Sequence, residues 1–275
     1  MFGATRRVAG FDSDEGGRVA IAGNAFLRET GSFAAMSLDT FRAAFKPPFQ
    51  WREFIQQCWF VASVSILPTT LTSIPFGAII ALQTGALIRQ LGAVSLNGGA
   101  SVIAVVREAG PIVTALIISG AAGSAICADL GARKIREEID AMEVLGISPL
   151  QRLVVPRVAA ITLVSVLLNG LVSVVGVAGG YFFSVVIQQG TPGPYFASFT
   201  ELAQLPDLYQ AEAKALIFGL VAGLMASYKG LTAKGGPKGV GDAVNQTVVF
   251  TFMLLFAINF AASTVYAQIV PQKAL

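Results

Sequence analysis

The chain has 275 residues, 54% of them hydrophobic and only 13% charged, against about 25% charged in an ordinary soluble domain. Apolar runs long enough to cross a bilayer exclude a soluble globular protein and define a polytopic membrane protein. The net charge of +3 is small, so the placement of Lys and Arg matters more than their sum, and the absence of His weakens any enzyme built on a histidine base or metal ligand.

Residues 1–33 carry Arg6, Arg7, Asp12, Asp14, Glu15 and several glycines, with no apolar h-region followed by a cleavage site. They read as a loose cytoplasmic tail rather than a signal peptide. From Phe33 to Phe60 aromatic residues (Phe41, Phe45, Phe49, Trp51, Phe54, Trp59) interleave with Arg42, Lys46 and Arg52. That mixture before a span suits a helix lying in the membrane interface, and Pro47-Pro48 divides it in two. Taken alone, the stretch also fits a partly buried helix of a soluble domain.

The first span is predicted at Phe60–Ile88 and carries Pro68 and Pro75, which neighbouring helices must accommodate. The second is predicted at Ser101–Ala128, with Arg107 and Glu108 near its start, a kink at Gly110-Pro111 and a run of small residues beyond it. Gly120 and Ser124 are four apart, as are Gly123 and Cys127, a spacing that permits close helix approach. Two readings of Arg107-Glu108 are open: a mutual ion pair at the headgroup level, or the mouth of a cavity that meets a polar headgroup. Cys58 and Cys127 lie in or beside apolar segments without CxxC spacing and read as small packing residues.

Residues 132–146 form a charged amphipathic segment between two spans. Ile135, Ile139 and Met142 recur on one face, with Arg133, Lys134, Arg136, Glu137, Glu138, Asp140 and Glu143 elsewhere. Gly146 is placed to end the helix, and Ser148-Pro149 to start the next. Read as one helix, the bases come first and the acids last, the reverse of what the helix dipole favours. Pairs such as Arg133–Glu137 and Arg136–Asp140 recover only about 0.2–0.5 kcal/mol each. A partner surface or lipid headgroups account for this order, and a solvated face is the alternative.

A third span falls within Val158–Ile187, followed by a polar loop, Gln188–Gln210, without Lys or Arg. A fourth is predicted at Ala213–Tyr228, then a basic glycine-rich turn, then a fifth near Val244–Val270. Asn169 and Asn259, deep in spans, are expected to hydrogen-bond between helices. Seven Lys and Arg precede residue 58, five lie between spans two and three, and three between spans four and five, whereas the alternate loops offer Arg89 alone and then none. The N-terminus and the charged segment are therefore expected in the cytoplasm and the C-terminus outside. The chain has no GxxxxGK[ST] phosphate loop, nucleophile elbow or metal-ligand cluster, and nothing points to nucleic acid. If ATP drives this protein, another subunit must bind it. An energy-independent lipid channel or carrier is the alternative, and a membrane-embedded lipid enzyme lacks any catalytic set.

REAGPIVTALIISGAAGSAICADLGARKIREEIDAMEVLGISPLQRLVVPR, residues 107–157, resembles the signature of the MlaE/YrbE permease family, and ASYKGLTAKGGPKGVGDAVNQTVV, residues 226–249, its second block. The resemblance covers roughly residues 35–270, and FQWREFIQQCWF is similar to the actinobacterial Mce-associated YrbE branch, A-type. It implies an all-α fold of an interfacial elbow helix and five spanning helices, with residues 1–33 as a tail and 34–275 as the permease domain. It implies the plasma-membrane part of an ATP-driven importer of hydrophobic lipids such as fatty acids or sterols. The implied partners are an ABC ATPase holding ATP and Mg²⁺, a second YrbE-type permease and Mce-domain proteins. The helix Ala132–Leu145 would couple to the ATPase through Arg133, Arg136, Glu137, Glu138, Asp140, Met142, Glu143 and Gly146. Arg107, Glu108 and Pro111 would face the substrate cavity.

Overall fold

The computed structural model describes residues 12–92 and 96–269, which are helical throughout apart from short connections, with no strand among them. Among these described residues eight helices follow one another: α1 (Asp12–Ala44), α2 (Trp51–Gln90), α3 (Asn97–Ile135), α4 (Glu138–Val144), α5 (Leu150–Ile187), α6 (Pro192–Leu202), α7 (Leu205–Leu231) and α8 (Gly236–Ile269). Five of these, α2, α3, α5, α7 and α8, are long and apolar enough to span a membrane. Large apolar side chains such as Trp59, Leu67, Leu71, Met253 and Phe260 stand exposed along α2 and α8, an arrangement stable only where lipid or another apolar surface replaces water.

The chain breaks between α1 and α2 at Pro47-Pro48, as expected, because neither proline supplies a backbone donor. Helix α1 already begins at Asp12, so the latter part of the expected tail is helical. Residues 1–11 and the end of the fifth span at Val270 lie outside the described residues. The polar loop predicted at Gln188–Gln210 is largely structured. Proline at the start of both α6 and α7, where a missing N–H costs nothing, lets two helices begin there. The glycine-rich turn is likewise shorter than expected. Gly235 and Gly236 take positive φ of 86° and 73°, and α8 then runs on through Gly239 and Gly241.

Helix α5 packs along α2 on one side and α7 on the other, and the second half of α3 packs against α7 and α8. Two backbone approaches set these contacts. A Cβ added to Gly77 of α2 would sit 2.1 Å from the Gly176 carbonyl oxygen of α5, and one added to Gly219 of α7 would sit 2.2 Å from Ser165 Oγ of α5. Where hydrophobic burial gives no advantage over lipid, such close approach is what holds helices together. Gly120, by contrast, is exposed, with nothing within 4 Å of an added Cβ among the described residues, so no helix of this chain packs closely on it. Gly123 faces α8, an added Cβ lying 3.9 Å from Thr247, whose hydroxyl also donates to Cys127 Sγ at 3.3 Å. Cys127 is fully buried in the main apolar core, in keeping with a packing role.

Candidate functional site

At one end of the bundle the charged segment folds as an elbow rather than a single helix. Helix α3 stops at Ile135, Glu137 takes the left-handed conformation at φ 59°, and α4 starts at Glu138. The break changes the meaning of the charge order. Arg133 and Lys134 now sit in the last turn of α3, and Glu138 and Asp140 in the first turn of α4, so both sets match their helix dipoles. The unfavourable order expected of one continuous helix does not exist. Nor do the predicted pairs: Arg133 meets Asp129 at 3.2 Å and Glu138 at 3.8 Å, Arg136 meets Glu138 at 2.8 Å, and Lys134 meets Asp140.

The elbow is anchored from within. Ile139 is buried in the core with Met142 packed against it. Gly146, at φ 73°, closes α4: its N–H reaches the Glu143 carbonyl at 3.0 Å and the Ile147 N–H the Met142 carbonyl at 2.9 Å, the paired bonds of a Schellman motif. Ser148 caps α5, accepting from the Gln151 N–H at 3.4 Å. Beneath the elbow, Asp129 also binds Arg157 of α5 at 2.7 Å, and Arg157 reaches Glu53 of α2 at 3.5 Å. Arg157 is 1% exposed. A buried guanidinium is retained only where carboxylates and carbonyls meet it, and the Leu153 carbonyl supplies a further acceptor at 2.9 Å. A salt-bridged line thus runs from the start of α2 through α5 and α3 to the elbow. Outside it, Glu137, Glu143, Val144, Leu145 and Ile147 project from the bundle, with Val144 88% and Leu145 74% exposed.

The α1 helix and the α7–α8 turn meet at this same end. Lys229 binds Glu29, and Ser32 Oγ lies 2.6 Å from Tyr228 Oη. Gln151 donates to the Lys46 carbonyl at 3.1 Å. The three basic segments of the sequence therefore converge.

A second polar cluster lies within the spans. Arg107 and Glu108 are not a mutual pair. Arg107 Nε binds Asp207 at 2.6 Å and its guanidinium stacks 5.6 Å from the Tyr266 ring centre, while Tyr266 Oη donates to the same Asp207 oxygen at 2.7 Å. Glu108 receives Lys214 at 3.4 Å, Ser263 at 2.9 Å and Asn259 at 3.3 Å. Lys214, 1% exposed, also donates to the Arg107 carbonyl at 3.1 Å. That carbonyl is four residues before Pro111, which has no N–H to give it, so a lysine from α7 completes what the proline leaves open. The backbone widens to a π-helical turn over Val105–Ala109 at the same point. Asn169 donates to Glu212 at 3.1 Å, so both asparagines bond between helices as expected. Pro111 is buried, and Glu108, 45% exposed, reaches the surface of the chain.

Asp207, Glu212, Lys214, Asp129 and Arg157 were not marked by the sequence pattern. Lys214 and Glu212 could have been found as charges within or beside an apolar run. Asp207 stood in a stretch read as a loop, where a carboxylate is unremarkable.

Five helices long and apolar enough to span, with charges paired inside them, define a multi-pass helical membrane protein. Residues 54–265 match the sequence profile described as Permease MlaE, and the chain belongs to the MlaE permease family. It is a transmembrane permease subunit. Among its relatives, a probable ABC transporter permease protein of Synechocystis is 32% identical over 217 residues, 79% of this chain and 82% of that protein. A probable ABC transporter permease protein of Rickettsia typhi is 30% identical over 86% of this chain and 91% of its own length. The chloroplastic protein trigalactosyldiacylglycerol 1 of Arabidopsis thaliana is 29% identical over 81% of this chain and 64% of its own length.

Proposed function

We propose that this chain is the permease subunit of an ATP-driven, Mce-type lipid importer and that its elbow is where a separate ATPase docks. The observation that carries this reading is the elbow's outer face. Val144, Leu145 and Ile147 are held in the open by a structure anchored on Ile139, Arg157 and the Gly146 cap. An apolar tip on a rigid base is suited to insertion into a groove on a partner, and relatives named as ABC transporter permeases support an ATPase as that partner. The convergence of the basic segments at this end supports a cytoplasmic elbow and N-terminus and an outer C-terminus. ATP and Mg²⁺ belong to the partner. The apolar faces of α2 and α8 suit a second, YrbE-type permease as well as lipid, and Mce-domain proteins would meet the opposite end. A relative named for a galactolipid supports a lipid cargo, here fatty acids or sterols. Arg107 and Glu108 would act from the cavity wall through the Asp207 and Lys214 network.

Replacing Val144 and Leu145 together by Asp tests the docking. Because both are exposed, the variant should fold and insert with its thermal stability nearly unchanged. Co-purification of an ATPase and ATP-dependent lipid movement in proteoliposomes should be lost. Retention of both in the double variant refutes docking at the elbow, and lipid movement without ATP would favour the channel or carrier reading.

A further inference from the structure

Three carboxylates of the spanning helices each meet a basic side chain: Asp129 meets Arg157, Glu108 meets Lys214 and Asp207 meets Arg107. Glu212 of α7 meets none among the described residues. Its hydrogen bond comes from a neutral amide, Asn169 Nδ2 to Oε1 at 3.1 Å, and its other oxygen, Oε2, is buried without a partner. A carboxylate within a span is costly unless a positive charge stands beside it.

Acceptors without donors gather at the same place. Asn169 is 0% exposed and its Oδ1 has no partner; Ser173, one turn further along α5, is 7% exposed and its hydroxyl has none either. A Cβ added to Gly110 of α3 would lie 3.2 Å from Asn169 Oδ1, 3.3 Å from Ser173 Oγ and 3.4 Å from the Val105 carbonyl oxygen. That carbonyl accepts the Gly110 N–H across the π-helical turn and keeps a second lone pair. Three oxygens therefore converge where Gly110 lacks a side chain, and Asn169 ties that space to Glu212. The side-chain oxygens are sealed from water, so an occupant must be smaller than a water molecule.

An occupant that serves these acceptors and balances one carboxylate carries a single positive charge. A proton would serve Glu212 and one neighbour and leave the other oxygens orphaned. A divalent ion would overcompensate, and magnesium keeps its waters. Potassium is as large as water. Backbone carbonyls at an irregular helical turn, with side-chain oxygens beside them, are how spanning helices hold sodium.

We propose that Glu212 Oε2, Asn169 Oδ1, Ser173 Oγ and the Val105 carbonyl bind one sodium ion, which ties α3, α5 and α7 together inside the membrane. Glu212 lies seven residues beyond Leu205, where α7 begins, about 10 Å along the helix. It is only partly buried, so an ion reaches the site from the end away from the elbow. The site uses no residue of the elbow and holds whether or not an ATPase docks there.

The full chain in phosphatidylcholine nanodiscs would be unfolded thermally in sodium, potassium or choline chloride at equal ionic strength, and bound radioactive sodium counted. Sodium alone should raise the midpoint, saturably, by about 3–6 °C at about ten times its dissociation constant, with a single ion bound per chain. Glu212→Gln keeps the oxygen that Asn169 meets but loses the charge, and Ser173→Ala deletes a hydroxyl that bonds to nothing, so both should fold. Glu212→Gln should abolish the sodium response, and Ser173→Ala should weaken the affinity about tenfold. The Val144/Leu145 double variant should respond as the parent does. An equal response to the three salts, or a parental sodium response in either single variant, overturns the proposal. A midpoint that follows pH and ignores sodium assigns the charge to a proton on Glu212 and overturns it as well.

Discussion

Removing Arg107 tests whether the intramembrane charges are held by one another. Asp207 is 4% exposed and receives Arg107 Nε at 2.6 Å, Tyr266 Oη at 2.7 Å and the Gln204 N–H at 3.3 Å. Arg107→Gln leaves that carboxylate with two neutral donors and no counter-charge. Breaking one side of a buried pair costs about 3–5 kcal/mol. For a chain of this size each kcal/mol corresponds to about 2–4 °C, so the apparent melting temperature in detergent should fall by about 10 °C. Adding Asp207→Asn removes the stranded charge and should restore most of the loss, because an amide can still accept from Tyr266. The assay is thermal unfolding of the parent, both single variants and the double variant. If Arg107→Gln shifts the midpoint by less than about 2 °C, or the double variant is as damaged as the sum of its parts, the pair is not the stabilising unit argued above.

Glu137 stands at φ 59°, where a side chain costs about 1–2 kcal/mol. Glu137→Gly should therefore hold or raise stability by about 1 kcal/mol and Glu137→Val lower it, both read by thermal unfolding. Gly77→Ala should reduce folded yield sharply in detergent size-exclusion chromatography, since its new methyl would meet the Gly176 carbonyl, while Gly120→Ala should be silent. Ser148→Ala removes the cap on α5, whose bond to Gln151 is 3.4 Å long, and should cost about 0.5–1 kcal/mol by the same measurement.

The number of spans and the proline break before α2 were legible in the sequence because each depends on neighbours in the chain. A run of apolar residues longer than a bilayer is thick needs no tertiary partner to declare itself, and Pro47-Pro48 lacks its donors in any fold. The Gly146 cap and the Ser148-Pro149 start were legible for the same reason. Side-chain pairing was not. Arg107 and Glu108 are adjacent in sequence, yet their partners Asp207 and Lys214 lie about a hundred residues away, and only the packing of α3 against α7 brings them together. The elbow shows the same limit within a few residues. Helical periodicity ran unbroken through Glu137, and the left-handed turn there arises where Ile139 and Met142 must fold back onto the core. Composition and local stereochemistry determine that this chain crosses a membrane five times. The tertiary structure decides which charges are paired inside the spans, because Arg107 and Glu108 meet Asp207 and Lys214 only once α3 packs against α7.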